Sequence, residues 1–151
     1  VFKAYGVSVL TNGMVSLTVP GTYSGSYYIL IKHRFSVETW TAAPVSFAGS
    51  TINYNFTTNA NTAFGSNQKE LTDGTFGLWS GDMTSITGSQ DGYVDIFDNN
   101  DVFNMAQLGS YGYRSEDPTG DGFVDIFDMT IVFNNMQMSL CMINSPNPLK
   151  K

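Results

Sequence analysis

Apolar and polar residues alternate through Val15, Leu17 and Val19, set against Ser16 and Thr18, directly after Thr11-Asn12-Gly13. An Asn-Gly pair leading into period-two alternation predicts a type I′ hairpin. Pro20-Gly21 ends that strand. Further short strands are predicted over residues 27–34, 37–41, 44–47 and 51–57, the last with Ile52, Tyr54 and Phe56 on one face. Strands broken by Gly, Pro and Ser at this spacing predict a small antiparallel β-sandwich, with a strand or two more expected upstream of Val1. Residues 58–80 lose any clean period and read as a connector in which Phe76 and Trp79 are expected to pack between two halves. The period then becomes helical. Met129, Val132, Phe133, Met136 and Leu140 fall at i, i+3, i+4, i+7 and i+11, and Val102, Phe103 and Ala106 begin a similar face. Neither helix can bury its face alone, so the two are predicted to pack antiparallel about a pseudo-two-fold axis. The fold class is α+β: a β-module with its connector over residues 1–78, a paired loop-helix unit over 79–145, and a tail over 146–151 that opens with proline-rich residues.

What precedes each helix is a repeat. Asp91-Gly92-Tyr93-Val94-Asp95-Ile96-Phe97-Asp98 returns thirty positions later as Asp121-Gly122-Phe123-Val124-Asp125-Ile126-Phe127-Asp128. In the second copy oxygen-bearing side chains fall at Asp117, Thr119, Asp121, Asp125 and Asp128, which are positions 1, 3, 5, 9 and 12 of an EF-hand-type loop. A hard dication takes about six to eight oxygens, and a short loop supplies them by turning alternate residues inward and bending sharply at a glycine. Gly122 stands at that bend, position 6; Phe123 at position 7 is expected to lend its carbonyl, Asp125 to act directly or through water, and Asp128 to close the shell from the helix. In the first copy Asp91, Tyr93, Asp95 and Asp98 match positions 5, 7, 9 and 12. Its first position is either Thr87, in a contiguous loop, or Asp82, which the preceding Trp79-Ser80-Gly81 favours; a bulge and Ser89 at position 3 then follow. Two bound calcium ions are expected.

Charge agrees. The net charge is −6, and it is unevenly placed: residues 1–80 carry four basic and three acidic side chains, whereas later Arg114, Lys150 and Lys151 face ten acidic ones. Eight of the thirteen acidic residues are the proposed ligands, so bound dications account for the acidity, and nucleic acid and anionic membranes are poor partners for this chain. The chain is 42% hydrophobic but only 13% charged, and rich in Gly, a composition of folded, β-leaning, extracellular proteins. The longest apolar run, Tyr27-Tyr28-Ile29-Leu30-Ile31, is too short to span a bilayer, and no signal-peptide pattern opens the chain. Val1 therefore reads as internal to a longer secreted protein. The single Cys141 excludes an internal disulfide and any cysteine-based zinc site.

The duplicated loop and helix, approached through Gly81-Asp82, resembles a bacterial type I dockerin over about residues 79–140. Residues around Lys32-His33-Arg34, Val37-Glu38-Thr39-Trp40 and Ala63-Phe64-Gly65-Ser66-Asn67 are similar to the β-module that precedes such pairs at the C-termini of large secreted bacterial surface proteins. The resemblance implies calcium and an extracellular or cell-surface location. It also implies as partners the upstream domains of its own parent chain and a cohesin-like or other surface protein. In dockerins positions 10 and 11 are polar and help read the cohesin; here they are Ile96-Phe97 and Ile126-Phe127. Apolar pairs there are expected to bury against the β-module or the opposite helix. Their exposure would instead favour a true dockerin.

No catalytic constellation emerges. His33, between Lys32 and Arg34, has no nucleophile or carboxylate motif at catalytic spacing; Glu38 and Glu70 have no evident carboxylate partner for glycoside chemistry; Asn55-Phe56-Thr57 is a chance sequon. Cys141 reads as a partly buried thiol. Trp40 with Tyr23, Tyr27, Tyr28 and Tyr54 would make a carbohydrate-binding module if they formed a flat exposed row, though packing is the simpler reading. The sequence therefore predicts a non-catalytic, calcium-stabilised C-terminal structural or docking module.

Overall fold

The computed structural model describes residues 1–83 and 90–141. Short antiparallel ribbons form the first half and two packed helices the second. In chain order the elements are β1 (Ser26–Tyr27), β2 (Leu30–His33), β3 (Ser36–Trp40), β4 (Val45–Ser46), β5 (Lys69–Glu70), β6 (Phe76–Gly77), α1 (Ile96–Gln107) and α2 (Ile126–Met136). The strands pair as three separate two-stranded sheets, β1 with β4, β2 with β3 and β5 with β6.

The described residues thus build ribbons where a sandwich was expected, and the reasons are local. A turn forms, Leu10 N–H donating to Met14 O at 2.9 Å and Gly13 N–H to Leu10 O at 2.8 Å. It is not type I′: Gly13 has φ +77° whereas Asn12 does not take a positive φ, so Thr11-Asn12 are the central residues and Gly13 follows them. No ladder continues from it, because Val15 and Leu17 stay exposed and no described strand pairs with them. Over residues 51–57 side chains compete with strand pairing. Asn55 Oδ1 takes both the backbone N–H and the hydroxyl of Thr57 at 2.8 Å, and the Tyr54 hydroxyl is tied to Thr62 O. Within β5–β6 the turn closes on Asp73, which accepts from the Thr75 backbone at 2.9 Å.

The hydrophobic core lies where the halves meet. Val37 of β3 packs with Met83, Val94, Val102, Val124 and Val132, flanked by Phe35, Trp79, Met105, Ala106, Met129, Met136 and Leu140. Trp79 therefore sits at the seam as expected, whereas Phe76 pairs with Glu70 in a peripheral ribbon. The seam is also hydrogen-bonded: Val37 N–H donates to Trp79 O at 2.8 Å and Gly81 N–H to Phe35 O at 2.7 Å. Asn135 of α2, almost fully buried, reaches Ser80 O at 2.7 Å. Phe103 and Phe133, assigned to the inner helix faces, point outward instead. Each follows Val102 or Val132 directly, and about 100° of helical rotation carries it off the buried stripe.

The pseudo-two-fold axis appears in the backbone. Val94 N–H donates to Leu140 O and Val124 N–H to Ser110 O, both at 3.0 Å, while Tyr93 bridges Cys141 and Phe123 bridges Tyr111. Each loop is thereby fastened to the segment following the opposite helix, which sets α1 and α2 antiparallel.

Candidate metal centre

Each loop ends by capping its helix. Asp95 and Asp125 are the N-cap residues, accepting from Phe97 N–H at 2.8 Å and Phe127 N–H at 2.7 Å. Asp98 and Asp128 complete capping boxes by accepting from the Asp95 and Asp125 backbones at 2.9 Å. Asp91 and Asp121 in turn brace the bend, accepting from Tyr93 N–H and Phe123 N–H at 2.9 Å. These bonds give the carboxylates at positions 5, 9 and 12 a backbone role independent of any ion.

They do not account for the burial of the carboxylates at the two ends of each loop. In the second loop Asp117 is buried and gathers the chain around it, accepting from Gly120 N–H at 2.7 Å, Gly122 N–H at 3.0 Å and the Thr119 hydroxyl at 3.1 Å. Asp128, with none of its surface exposed, accepts from Thr119 N–H at 3.0 Å, so Thr119 joins positions 1 and 12. Asp98 has the matching arrangement in the first loop, accepting from Met83 N–H at 2.8 Å. Met83 directly follows Asp82, so the structure brings Asp82 to the start of that loop. Ser89 and Thr87 lie outside the described residues. The carbonyls of Tyr93 and Phe123 lie at the bends, with both rings exposed.

Asp82 is the least compensated group. It is 0% exposed, and neither carboxylate oxygen has a well-formed hydrogen bond among the described residues. Burial, with the negative charges of Asp98 and Asp91, pushes its carboxyl up to about 7; the Gly92 amide nearby offsets only part of this. Asp98 is pushed up to about 6, chiefly by burial, against the lowering effect of its bonds from Met83 and Asp95. No basic side chain makes an ion pair with Asp82, Asp98, Asp117 or Asp128 among the described residues, where the one ion pair is Lys32 with Glu38 at 2.7 Å. Buried carboxylates without a partner are costly unless protonated, paired or bound to metal. Carboxylates, a hydroxyl and loop carbonyls are the donors a hard dication takes, so the residues present fit calcium. No three His, Cys, Asp or Glu side chains among the described residues already converge on one point, because several carboxylates are turned to backbone N–H groups.

Gly81 shapes the approach to the first loop. Its φ is +124°, and a Cβ there would stand 2.6 Å from Val94 Cγ1. Only glycine permits both the backbone conformation and the contact.

The apolar pairs at positions 10 and 11 depart from expectation. Ile96 and Phe97 are 49% and 71% exposed, and Ile126 and Phe127 60% and 67%. They do not bury against the β-module or the opposite helix, because capping by Asp95 and Asp125 fixes the first helical turns so that Val102 and Val132, not the Ile-Phe pairs, face the core.

Elsewhere, His33 lies on Phe35 at 4.4 Å between ring centroids, and burial followed by the Arg34 charge lowers its pKa. Cys141 is exposed, not partly buried. Phe2, Tyr23, Tyr27 and Phe47 form a chain of rings with centroids 5.6–5.9 Å apart, but tilted 58–84° to one another. Sequence reading overlooked Val94 and Val124, whose thirty-residue recurrence was visible, and also Asn135 and Gln90, which carry no sequence signal at all. Comparison with protein-family models, curated proteins and solved structures finds no match.

Proposed function

We propose that this chain is a non-catalytic, calcium-stabilised docking module of a larger secreted or cell-surface protein. Its dockerin-like pair of loop-helix units holds two calcium ions and presents Ile96-Phe97 and Ile126-Phe127 to a cohesin-like or other surface protein. The observation that carries the docking reading is the exposure of both Ile-Phe pairs, each held at a capped helix start beside a loop. Exposed apolar groups of this kind mark interaction surfaces. The uncompensated burial of Asp82 supports the calcium reading. In the loops Asp117, Thr119, Asp121, the Phe123 carbonyl, Asp125 and Asp128 would hold one ion, and Asp82, Ser89, Asp91, the Tyr93 carbonyl, Asp95 and Asp98 the other. The ion supplies charge compensation, and the ribbons of the first half brace the helices from the seam. A carbohydrate-binding role finds less support, because tilted rings offer no flat stacking platform.

Calcium titration by calorimetry is expected to show two ions, and chelation to lower the Tm; saturation at a hundredfold excess over Kd stabilises by about 2.7 kcal/mol per site. Unchanged melting in excess chelator would reject calcium. Phe97→Ser with Phe127→Ser is expected to leave Tm nearly unchanged while abolishing binding to an immobilised cohesin-like domain from the same organism. Equal binding by this variant and wild type would reject the docking surface.

A further inference from the structure

We propose that the turn between β2 and β3 couples the two calcium loops, so that an ion in the first loop orders the hairpin and, through Arg34, the approach to the second loop. This coupling rests on the calcium reading above and adds a regulatory connection to it. Gln90 is the residue just before Asp91, and its Nε2 lies 2.6 Å from Asp82 O, 2.9 Å from His33 O and 3.0 Å from Ser36 O. An amide NH₂ carries two hydrogens, so three carbonyls share them and the shortest contact is to the backbone of Asp82 itself. One side chain thus links the first loop's leading carboxylate residue to both ends of the turn. Phe35, inside the turn, accepts from Gly81 N–H, immediately before Asp82.

The turn's other side faces the second loop. Arg34 Nε donates to Arg114 O at 2.7 Å, and its guanidinium lies 3.6 Å from the centroid of the Tyr113 ring. Tyr113 and Arg114 immediately precede the segment leading to Asp117. Arg114 also contacts Met105 Sδ of α1 at 3.7 Å. His33, Phe35 and Ser36 therefore hold the first loop while Arg34 holds the second, within four consecutive residues of the β half. A shift of Asp82 toward a cation moves the carbonyl that Gln90 grips, and the turn transmits that shift to residues 113–114.

Amide exchange measured with and without calcium, alongside calorimetry, tests this on the full chain. In the wild type calcium is expected to slow exchange at Val37 and Gly81 by about tenfold or more, within the range of ordinary site-to-site coupling. Gln90→Ala is expected to bind two ions still, with the first site about tenfold weaker and the Val37 and Gly81 amides no longer responding. Arg34→Lys keeps the charge but loses the planar donor and stacking surface. In that background, Asp82→Asn is expected to leave second-site affinity unchanged, whereas in the wild-type background it weakens the second site several-fold. If two ions bind and the hairpin amides do not respond, or if Gln90→Ala responds as the wild type does, the coupling is overturned while the calcium reading stands. If no calcium binds, both fall. Should Gln90→Ala not fold, the Arg34→Lys comparison decides alone.

Discussion

Gly81 and Asp82 are adjacent, and each is held in a state that almost any substitution would disturb. Adding a methyl at Gly81 forces a contact with Val94 Cγ1 and a positive φ that alanine disfavours. Gly81→Ala is expected to lower unfolding stability by about 2–4 kcal/mol, measured by denaturant midpoint, with partial recovery when Val94→Ala makes room. Asp82 responds to pH. Burial, then the charges of Asp98 and Asp91, push its carboxyl up to about 7, well above its unfolded value near 4. The native state then binds more protons than the unfolded state between these values, so this group favours the calcium-free fold at low pH and stops doing so as pH rises through 7. Calcium takes the deprotonated form, so first-site affinity runs the opposite way and falls as pH drops below 7. In chelator, Asp82→Asn is expected to raise Tm at pH 8 and clearly less at pH 5, and wild-type calorimetry to show first-site affinity declining from pH 8 to pH 6. A first site of equal affinity at both values would contradict this.

The helices show how much of the fold could be read from the residues, and where reading stopped. Both loops, both helix starts and the antiparallel pairing follow from a thirty-residue repeat whose carboxylates and glycine sit at fixed places. The sandwich did not follow, because alternation at Val15 and Leu17 states which face prefers burial without supplying the strand to pair with it. The direction of Phe97 and Phe127 was missed for a different reason. Hydrophobicity alone assigned them inward, while the cap at the preceding aspartate sets the rotation of the helix. That double duty of position 9 is separable: Asn caps a helix about as well as Asp, but brings no charge to an ion. Asp125→Asn is expected to keep the chelator-treated Tm near wild type and lose calcium affinity. Asp125→Ala is expected to lose the affinity and about 1 kcal/mol of stability as well. Equal calcium affinity in Asp125→Asn and wild type, by calorimetry, would leave Asp125 only its capping role.

At the scale of the whole molecule, the β half and the helical half share one core through Val37, Trp79 and Met83. Cutting between them removes a wall of that core, so the module is best handled as one piece. The crossed backbone pairing, Val94 with Leu140 and Val124 with Ser110, has a consequence in time. A chain that emerges from its N-terminus, whether from a ribosome or an export channel, presents everything the second loop is fastened to by the time residue 128 is out. The first loop appears thirty residues sooner, yet its tether is residue 140, so the site written first is finished last. A protein ending at Ser139 is expected to hold one calcium ion by calorimetry, in the second loop, whereas one ending at Cys141 holds two. Until residue 140 has emerged, the leading loop lacks its backbone partner while the second loop already has its own.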